Sequence, residues 1–538
     1  MSKPSHSRRC LDLLVLSVVS LLVTGTSTWA AGPNQSDLDR SATSTDTWLM
    51  TNKSYDGHRY VALDQITPAN VATLKEMCVL DSGVEAPAQS TPVLYDGKLF
   101  LSVGQTTIAV DASNCTEVWR HEWQLKGKAL SKPNRGVAIK DGLVVRGTSD
   151  GYLIALSMAD GKLAWENQMT SADNSHYLSM PAMIVGDKVI YGTAGADWGA
   201  RGWIGAFKLS DGSEVWRFNA LPLPGEPGAE TWGTPEALAH GGGSFWTPVS
   251  VDRAANVVYV PVGNPAPDFF GDVRIGSNLY TNALVALDLD TGKPKWAKQF
   301  VPHDVRDWDL SQTSPLVTIE IGGKTRNLVV VSGKDGRLRL VDRDSHEVLH
   351  DIALSKQENT ETPVTVEGVH ICPGLLGGQE WSSSAFDPKR NSVISPMVNW
   401  CGTAHRDATA PVHKVGEHYY GGKIVQDPIG DARGVLSAVD VSTGAVRWTT
   451  EMPAPMLANV TVTSGGIAFA GDLGGTLYAV NTETGEVLLR HGMGASAGGG
   501  LISYMLAGKQ FVAVVSGPVS PFFGGGKGTT KLTLLALP

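Results

Sequence analysis

The sequence lacks the features that mark membrane-spanning, haem-carrying and nucleic-acid-binding proteins. After the apolar stretch LLVLSVVSLLV at residues 13–23, no second long hydrophobic run follows, so no stable membrane insertion is expected. No Cys-x-x-Cys-His motif occurs, which argues against a covalently attached haem. The formal net charge is −9, and this mild acidity argues against nucleic acid or an anionic membrane as the main partner.

The N-terminus is typical of an export signal. Lys3, Arg8 and Arg9 provide a positive segment ahead of the short apolar core, and small residues follow it. The pattern predicts a cleaved signal peptide over residues 1–30. The remaining chain, residues 31–538, is therefore expected in the periplasm.

Cysteine is also scarce, with five in the whole chain. Cys10 lies in the predicted signal peptide, which leaves an even number in an oxidising compartment and favours two disulfides over free buried thiols. Sequence order suggests that Cys78 pairs with Cys115 and that Cys372 pairs with Cys401.

Helical periodicity is nearly absent, whereas one strand-like pattern recurs along the chain. A short apolar strand precedes an acidic or polar turn with Gly and then a Trp. The best copies are IAVDASNCTEVW (108–119), IALSMADGKLAW (154–165), IGAFKLSDGSEVW (204–216), LVALDLDTGKPKW (284–296) and LSAVDVSTGAVRW (436–448). Several strands per repeat predict an all-β propeller of four-stranded blades.

The tryptophans that end these copies are predicted to pack between neighbouring blades and to have no part in chemistry. They are Trp119, Trp165, Trp216, Trp296 and Trp448. In a propeller, functional residues are expected on loops that many blades contribute at one end of the central channel.

Four segments interrupt the repeat with specific polar groups. They are PNRGVAI (133–139), YGTAGADWGARGW (191–203), GGGSFWTP with PVGNPAP (241–248 and 261–267), and SGKDGRLRLVDR (332–343). Together with GVHICPGLLGGQEW (368–381), they resemble the quinoprotein alcohol dehydrogenases over nearly the whole predicted mature chain. The resemblance implies a single catalytic domain, an eight-bladed propeller of four-stranded antiparallel blades. It also implies two cofactors, pyrroloquinoline quinone (PQQ) and a Ca2+ or lanthanide ion.

Four residues match positions at which this family contacts PQQ. By resemblance, Arg135 and Ser179 would bond carboxylates of the cofactor, Trp246 would stack on the quinone face, and Lys334 would lie near its reactive carbonyl oxygens. A tricarboxylate cofactor in an acidic protein needs fixed cations, which Arg135 and Lys334 can supply.

Four further positions match the metal centre of the family. Asp197 stands where a metal-binding glutamate is usual, and Asn264 matches a metal-binding asparagine. Asp307 aligns with the general base and is also assigned to the metal, whereas Asp309 aligns with the extra carboxylate of lanthanide-dependent members. These oxygen ligands suit calcium or a larger trivalent ion rather than zinc or copper.

The chain departs from the family pattern at several positions. Ala129 and Leu130 replace two adjacent cysteines, and Glu380 replaces an asparagine. These changes leave open whether the substrate is a small primary alcohol. In the stretch VPHDVRDWDLS (301–311), His303 and Asp304 are expected to orient the loop.

The leading interpretation is a periplasmic, PQQ- and metal-dependent dehydrogenase that oxidises an alcohol to an aldehyde or ketone. Asp307 would take the hydroxyl proton as hydride passes to the quinone, and a separate cytochrome c would accept the electrons. Two alternatives stay open: a non-enzymatic propeller scaffold of the cell envelope, and a PQQ dehydrogenase for aldehydes, sugars or polymeric alcohols. The oligomeric state is also open, with a homodimer as one option.

Overall fold

The computed structural model of the protein describes residues 1–2 and 32–538. Residues 3–31, which include most of the predicted signal peptide and its cleavage site, lie outside the described residues. Within the part that is described, no helix combines the length and apolar character needed to cross a membrane.

The described strands build eight four-stranded antiparallel sheets, which we number as blades in chain order of their first strands. The all-β, eight-bladed propeller expected from the sequence is therefore confirmed. Blade 1 comprises Val93–Tyr95, Lys98–Val103, Thr106–Asp111 and Glu117–Glu122; blade 2 comprises Ala138–Lys140, Leu143–Gly147, Tyr152–Ser157 and Leu163–Gln168; blade 3 comprises Met183–Val185, Lys188–Gly192, Trp203–Lys208 and Glu214–Asn219; blade 4 comprises Ser250–Asp252, Val257–Pro261, Ala283–Asp288 and Pro294–Gln299.

The second half of the ring continues in the same order and ends on an N-terminal strand. Blade 5 comprises Leu310–Gln312, Lys324–Gly333, Arg337–Asp342 and Val348–Ala353; blade 6 comprises Ala385–Asp387, Ser392–Asn399, Arg433–Asp440 and Val446–Met452; blade 7 comprises Thr461–Thr463, Ile467–Gly471, Thr476–Asn481 and Val487–Gly492; blade 8 comprises Leu501–Leu506, Lys509–Ser516, Lys531–Ala536 and Lys75–Asp81. Because Lys75–Asp81 pairs antiparallel with Lys531–Ala536, the two ends of the chain close the ring together.

A few short elements lie outside the blades. The strand Leu316–Ile321 pairs with the second strand of blade 5, and Tyr60–Val61 pairs in parallel with the first strand of blade 7. A separate three-stranded sheet, which the sequence did not predict, comprises Val369–Ile371, Gly402–Arg406 and Gly422–Gln426. The helical segments are the α-helices Gln35–Asp39 and Pro235–His240 and the 3-10 turns Val71–Thr73, Ala172–Asn174, Ala196–Trp198, Ala229–Trp232, Gly271–Val273, Ile429–Asp431 and Pro521–Phe523.

The recurring turn and tryptophan form the contact between consecutive blades. In blade 4, Oδ1 of Asp288 accepts hydrogen bonds from the backbone N–H groups of Asp290 and Thr291 at 3.1 and 3.0 Å. Gly292 closes this turn with φ +67°, and a Cβ there would lie 2.3 Å from the ring of Trp216 in blade 3. The turn thus requires glycine for two reasons: its φ is positive, and any side chain would collide with the indole that covers it.

Three of the other four tryptophans repeat this arrangement, and the fifth also packs against the next blade, which confirms their predicted packing role. In four of the five tryptophans the indole N–H donates to a backbone carbonyl near the turn of a neighbouring blade. The pairs are Trp119 to Met158, Trp165 to Leu209, Trp216 to Leu289 and Trp448 to Thr482. Trp296 instead stacks on His346 of blade 5, with ring centroids 4.4 Å apart.

Both predicted disulfides are present. Cys78–Cys115 joins the closing strand of blade 8 to the last turn of blade 1. Cys372–Cys401 joins two neighbouring strands of the separate three-stranded sheet. The two crosslinks therefore secure the ring closure and the inserted sheet, which are the parts least supported by the repeat itself.

Candidate active site

The blade topology places the candidate residues at one edge of the sheets. In an antiparallel meander the first strand begins at the edge where the second strand ends. Most candidates lie at these two kinds of position, ahead of a first strand or after a second one. Before a first strand stand Arg135, Ser179, Trp246, Asp307, Asp309 and Glu380; after a second strand stand Asp197, Asn264 and Lys334.

The residues meet in a cavity of about 320 Å³. Its walls include the cationic, acidic and aromatic side chains named from the sequence, except Ser179, which is fully buried behind Arg135. The members predicted from the sequence are Arg135, Asp197, Trp246, Asn264, Asp307, Asp309, Lys334 and Glu380.

The loop before blade 5 is shaped by Asp304. Its Oδ1 accepts from the backbone N–H of Arg306 at 2.9 Å, and its Oδ2 accepts from that of Trp308 at 2.7 Å. Asp307 lies inside this turn with φ +57°, in the left-handed region that Asp tolerates better than most residues. These bonds match the supporting role expected of Asp304.

A buried ammonium group lies between two aspartates of this loop. Nζ of Lys334 is 3.2 Å from Oδ2 of Asp307 and 2.8 Å from Oδ2 of Asp309. Although burial alone lowers the pKa of Lys334, the two carboxylates raise it well above the ordinary value. Oδ1 of Asp309 also accepts from the backbone N–H of Asn264 at 3.0 Å and from the indole of Trp246 at 3.3 Å.

Three carboxylates cluster beside this ion pair. Oxygens of Asp197, Asp268 and Asp307 lie within 4.8 Å of one another. Burial raises the pKa of all three above the usual value, most strongly for Asp268 and Asp307, and Lys334 works in the opposite direction. Asp268 was missed by the sequence analysis, and its one sequence signal is its place four residues after Asn264.

A cationic and an aromatic side chain, Arg135 and Trp246, form another part of the cavity wall. The guanidinium of Arg135 donates to Oγ of Ser179 at 3.0 Å and to the backbone oxygen of Trp246 at 3.2 Å, and its central carbon lies 4.7 Å from the centre of the Trp246 ring. Its Nε is buried with no partner among the described residues. Burial lowers the pKa of Arg135 to about 10, and burial raises that of Glu380 to about 7.

A long loop of the inserted sheet completes the cavity, and the sequence analysis did not anticipate it. Tyr420 lines the cavity just before the strand Gly422–Gln426. His418 stacks on Tyr420 with ring centroids 4.6 Å apart, and its other neighbour is Trp198, at 4.5 Å. The aromatic stack therefore joins the inserted loop to the Asp197 turn of blade 3.

Residues 48–356 match the family described as "PQQ: Glucose/ethanol/alcohol dehydrogenase, beta-propeller domain", which is more than half of the chain. The chain belongs to this family. It is therefore an oxidoreductase of the quinoprotein alcohol dehydrogenase type, and the family and enzyme class predicted from the sequence are confirmed.

A second, shorter match covers residues 432–518 and has the description "Outer membrane protein assembly factor BamB". None of the candidate site residues falls in that range, whereas those from Arg135 to Lys334 all fall in the dehydrogenase match. This shorter match therefore lies outside the part of the chain that supplies the candidate site residues.

Individual relatives point the same way. The chain is 28% identical over 531 residues to quinohemoprotein alcohol dehydrogenase ADH IIB of Pseudomonas putida, covering 92% of this chain and 77% of that protein. It is 26% identical over 525 residues to the lanthanide-dependent methanol dehydrogenase of Methylacidiphilum fumariolicum strain SolV, covering 89% and 85%. The solved quinohemoprotein alcohol dehydrogenase of Comamonas testosteroni superposes with a TM-score of 0.86 at 27% identity, covering 94% of this chain and 82% of that chain.

Proposed function

We propose that this protein oxidises an alcohol to an aldehyde or ketone, with Asp307 as the general base. The observation that carries the proposal is the surroundings of its carboxylate. Oδ2 accepts from Lys334, whereas Oδ1 is buried beside the cavity with no partner among the described residues. A buried acceptor left free in this way can take the proton of a substrate hydroxyl.

The side chains around the cavity fit PQQ. Arg135 and Lys334 would hold its anionic and carbonyl oxygens, and Trp246 would cover one flat face. Ser179, which does not line the cavity, would orient Arg135 through its hydrogen bond instead. The unpartnered Nε of Arg135 is the kind of buried donor that an acidic ligand would satisfy. When bound, PQQ accepts hydride and a hard cation acts on it as a Lewis acid.

The proposed ligands of that cation are Asp197, Asn264, Asp307 and Asp309, and the ion is Ca2+ or a lanthanide. Three of the four are carboxylates, and all four line the cavity. Oxygen donors of this kind bind hard cations of high coordination number. A relative whose name specifies lanthanide dependence aligns along most of the chain, which supports including lanthanides.

Lys334 has a second proposed task, which is to keep Asp307 ionised. Burial pushes the pKa of Asp307 well upward, and the ammonium of Lys334 opposes that shift. A general base must be deprotonated to act, so the ion pair at 3.2 Å favours the active form. Burial of both side chains also keeps bulk water from competing for the proton.

We further propose that the protein acts in the periplasm and passes electrons to a separate cytochrome c. The two disulfides suit an oxidising compartment. The predicted signal peptide supports export, and the lack of a Cys-x-x-Cys-His motif in this sequence supports a separate electron acceptor.

The test uses protein reconstituted with PQQ and either Ca2+ or a lanthanide, and it measures reduction of an artificial dye. The substrate panel includes primary and secondary alcohols, aldehydes, sugars and polymeric alcohols. Asp307→Asn is the decisive variant because Asn tolerates the left-handed backbone at this position. We expect kcat to fall by at least about 100-fold, the usual contribution of a general base, while PQQ remains bound.

The matched control is Asp272→Asn, at an exposed aspartate outside the cavity whose partner is Arg406. Its turnover should equal that of the wild type. Substantial dye reduction by Asp307→Asn would exclude the general-base assignment. Failure of the wild type to bind PQQ in equilibrium dialysis with either metal would exclude the proposed cofactor site.

A further inference from the structure

Asp268 is a buried carboxylate to which the proposed function assigns no role. It lies in the loop after the second strand of blade 4, and 1% of its surface is exposed. Neither carboxylate oxygen has a hydrogen-bond partner among the described residues. An unpaired carboxylate is costly to bury, so a compensating positive charge should lie close to it.

The buried Arg274 lies in the same region but does not bond Asp268. Its N–H groups donate to the backbone oxygen of Pro267 at 3.0 Å, to Oδ1 of Asn278 at 2.8 Å, and to the backbone oxygen of Asp304. These bonds explain Arg274 as a support of the loops around it. Asp268 thus receives no hydrogen bond from Arg274, and oxygens of Asp197 and Asp307 lie within 4.8 Å of its own.

The geometry of these carboxylates fits a single ion. Oxygens of Asp197, Asp268 and Asp307 all lie within 4.8 Å of one another. Oxygen ligands on opposite sides of a calcium-sized ion, at about 2.3–2.6 Å from it, are about 4.6–5.2 Å apart. Oδ1 of Asp307 and both oxygens of Asp268 have no other partner among the described residues, so they are available as ligands.

The charge balance around this point favours a high charge on that ion. Two buried cations, Arg135 and Lys334, lie among five carboxyl groups, of which four are buried and one is half-buried. The buried four are Asp268, Asp307, Asp309 and Glu380, and the half-buried one is Asp197. Asp268 adds one negative charge to this group, and each added carboxylate strengthens the attraction for an ion of higher charge.

We propose that Asp268 is a direct ligand of the metal ion, beside Asp197 and Asp307, and that it makes the centre favour a trivalent lanthanide over Ca2+. The inference rests on the metal centre of the proposed function and adds a ligand to it. Hard trivalent ions gain more than Ca2+ from each added carboxylate because the attraction scales with the product of the charges.

The experiment titrates Tb3+ into chelator-treated full-length protein and follows terbium luminescence sensitised by the tryptophans of the cavity. Ca2+ competition then yields the ratio of the two affinities. Luminescence lifetimes in H2O and D2O count the water molecules on the bound ion. The variant is Asp268→Ala, and the matched control is Asp272→Ala, at the exposed aspartate four residues further on.

We expect Asp268→Ala to weaken terbium binding at least tenfold, to lower the terbium-to-calcium affinity ratio, and to add water to the bound ion. Asp272→Ala should change none of these. The metal-free Asp268→Ala protein should melt no lower than the wild type, because an unpaired buried carboxylate is removed. A variant that misfolds would melt at a lower temperature than the wild type, so this measurement identifies it.

Each other result has a defined meaning. Unchanged terbium affinity in a folded Asp268→Ala protein would refute the inference. Weaker binding with an unchanged water count would refute direct ligation. An unchanged terbium-to-calcium ratio would refute the selectivity. Failure of the wild type to bind any metal would instead refute the metal centre of the proposed function.

Discussion

Lys334 offers a quantitative test of the charge arrangement in the site. Its ammonium contacts Asp307 and Asp309 at 3.2 and 2.8 Å, and all three side chains are at least nine-tenths buried. In metal-free and cofactor-free protein, Lys334→Met removes this cation while nearly preserving side-chain volume. One of the clustered carboxylates must then remain unpaired or take up a proton.

The free energy needed to protonate that carboxylate determines how much stability Lys334→Met should lose. A carboxyl group with an ordinary pKa of about 3.9 is protonated at pH 7 at a cost of about 4 kcal/mol, since each pH unit contributes about 1.4 kcal/mol. Breaking a buried ion pair independently suggests about 3–5 kcal/mol. We therefore expect the free energy of unfolding to fall by about 4 kcal/mol at pH 7 and by about 2 kcal/mol at pH 5.5, because acid makes protonation cheaper.

The assay is urea unfolding in chelator, followed by tryptophan fluorescence at both pH values. Lys423→Met is the matched control because Lys423 lines the same cavity but is exposed and has no ion pair among the described residues. The control should unfold within about 0.5 kcal/mol of the wild type. A loss for Lys334→Met that is equal at both pH values, or below about 1 kcal/mol, would refute the reasoning.

Two further predictions concern the scaffold. Gly292→Val should lower the thermal midpoint far more than Gly322→Val, because both glycines have positive φ but only the Cβ at Gly292 would meet an indole ring, at 2.3 Å; equal losses would contradict the packing argument. His370 bonds Asp427 at 3.0 Å and Glu358 at 3.1 Å, and these carboxylates raise its pKa. The stabilisation is complete below the ordinary histidine pKa of about 6.5 and is lost as pH rises through the raised value, so His370→Gln should lower the melting temperature at pH 6 and not at pH 9.

Much of the fold could be predicted because its determinants are local in sequence. The turn at Asp288–Gly292 is built from hydrogen bonds and a positive φ within five residues, so its signature recurs wherever the turn does. The inserted sheet carries no such repeat. Its strand Val369–Ile371 pairs with Gly402–Arg406, although strands of blade 6 lie between them in the chain. No local sequence pattern indicates that pairing.

The residues of the candidate site likewise fall into those that the sequence could identify and those that it could not. Asp307 and Asp309 could be singled out because they sit two residues apart in one loop and match a family pattern. Asp268 could not, because its significance depends on Asp197 and Asp307, which come from other blades. The stacking of Tyr420 and His418 near Trp198 likewise depends on a loop from a distant part of the chain.

The sequence by itself determined the repeat, the disulfide partners and the identities of most polar groups in the site, since these depend on residue type and spacing. Only the tertiary structure decided which groups share one space. Ring closure brings the loops of blades 2–6 to a common cavity. There Lys334 lies between Asp307 and Asp309, while Asp268 lies beside Asp197 and Asp307. Packing brings together charges that are far apart in the chain. Their interaction energies depend on distances in space, which cannot be read from the sequence.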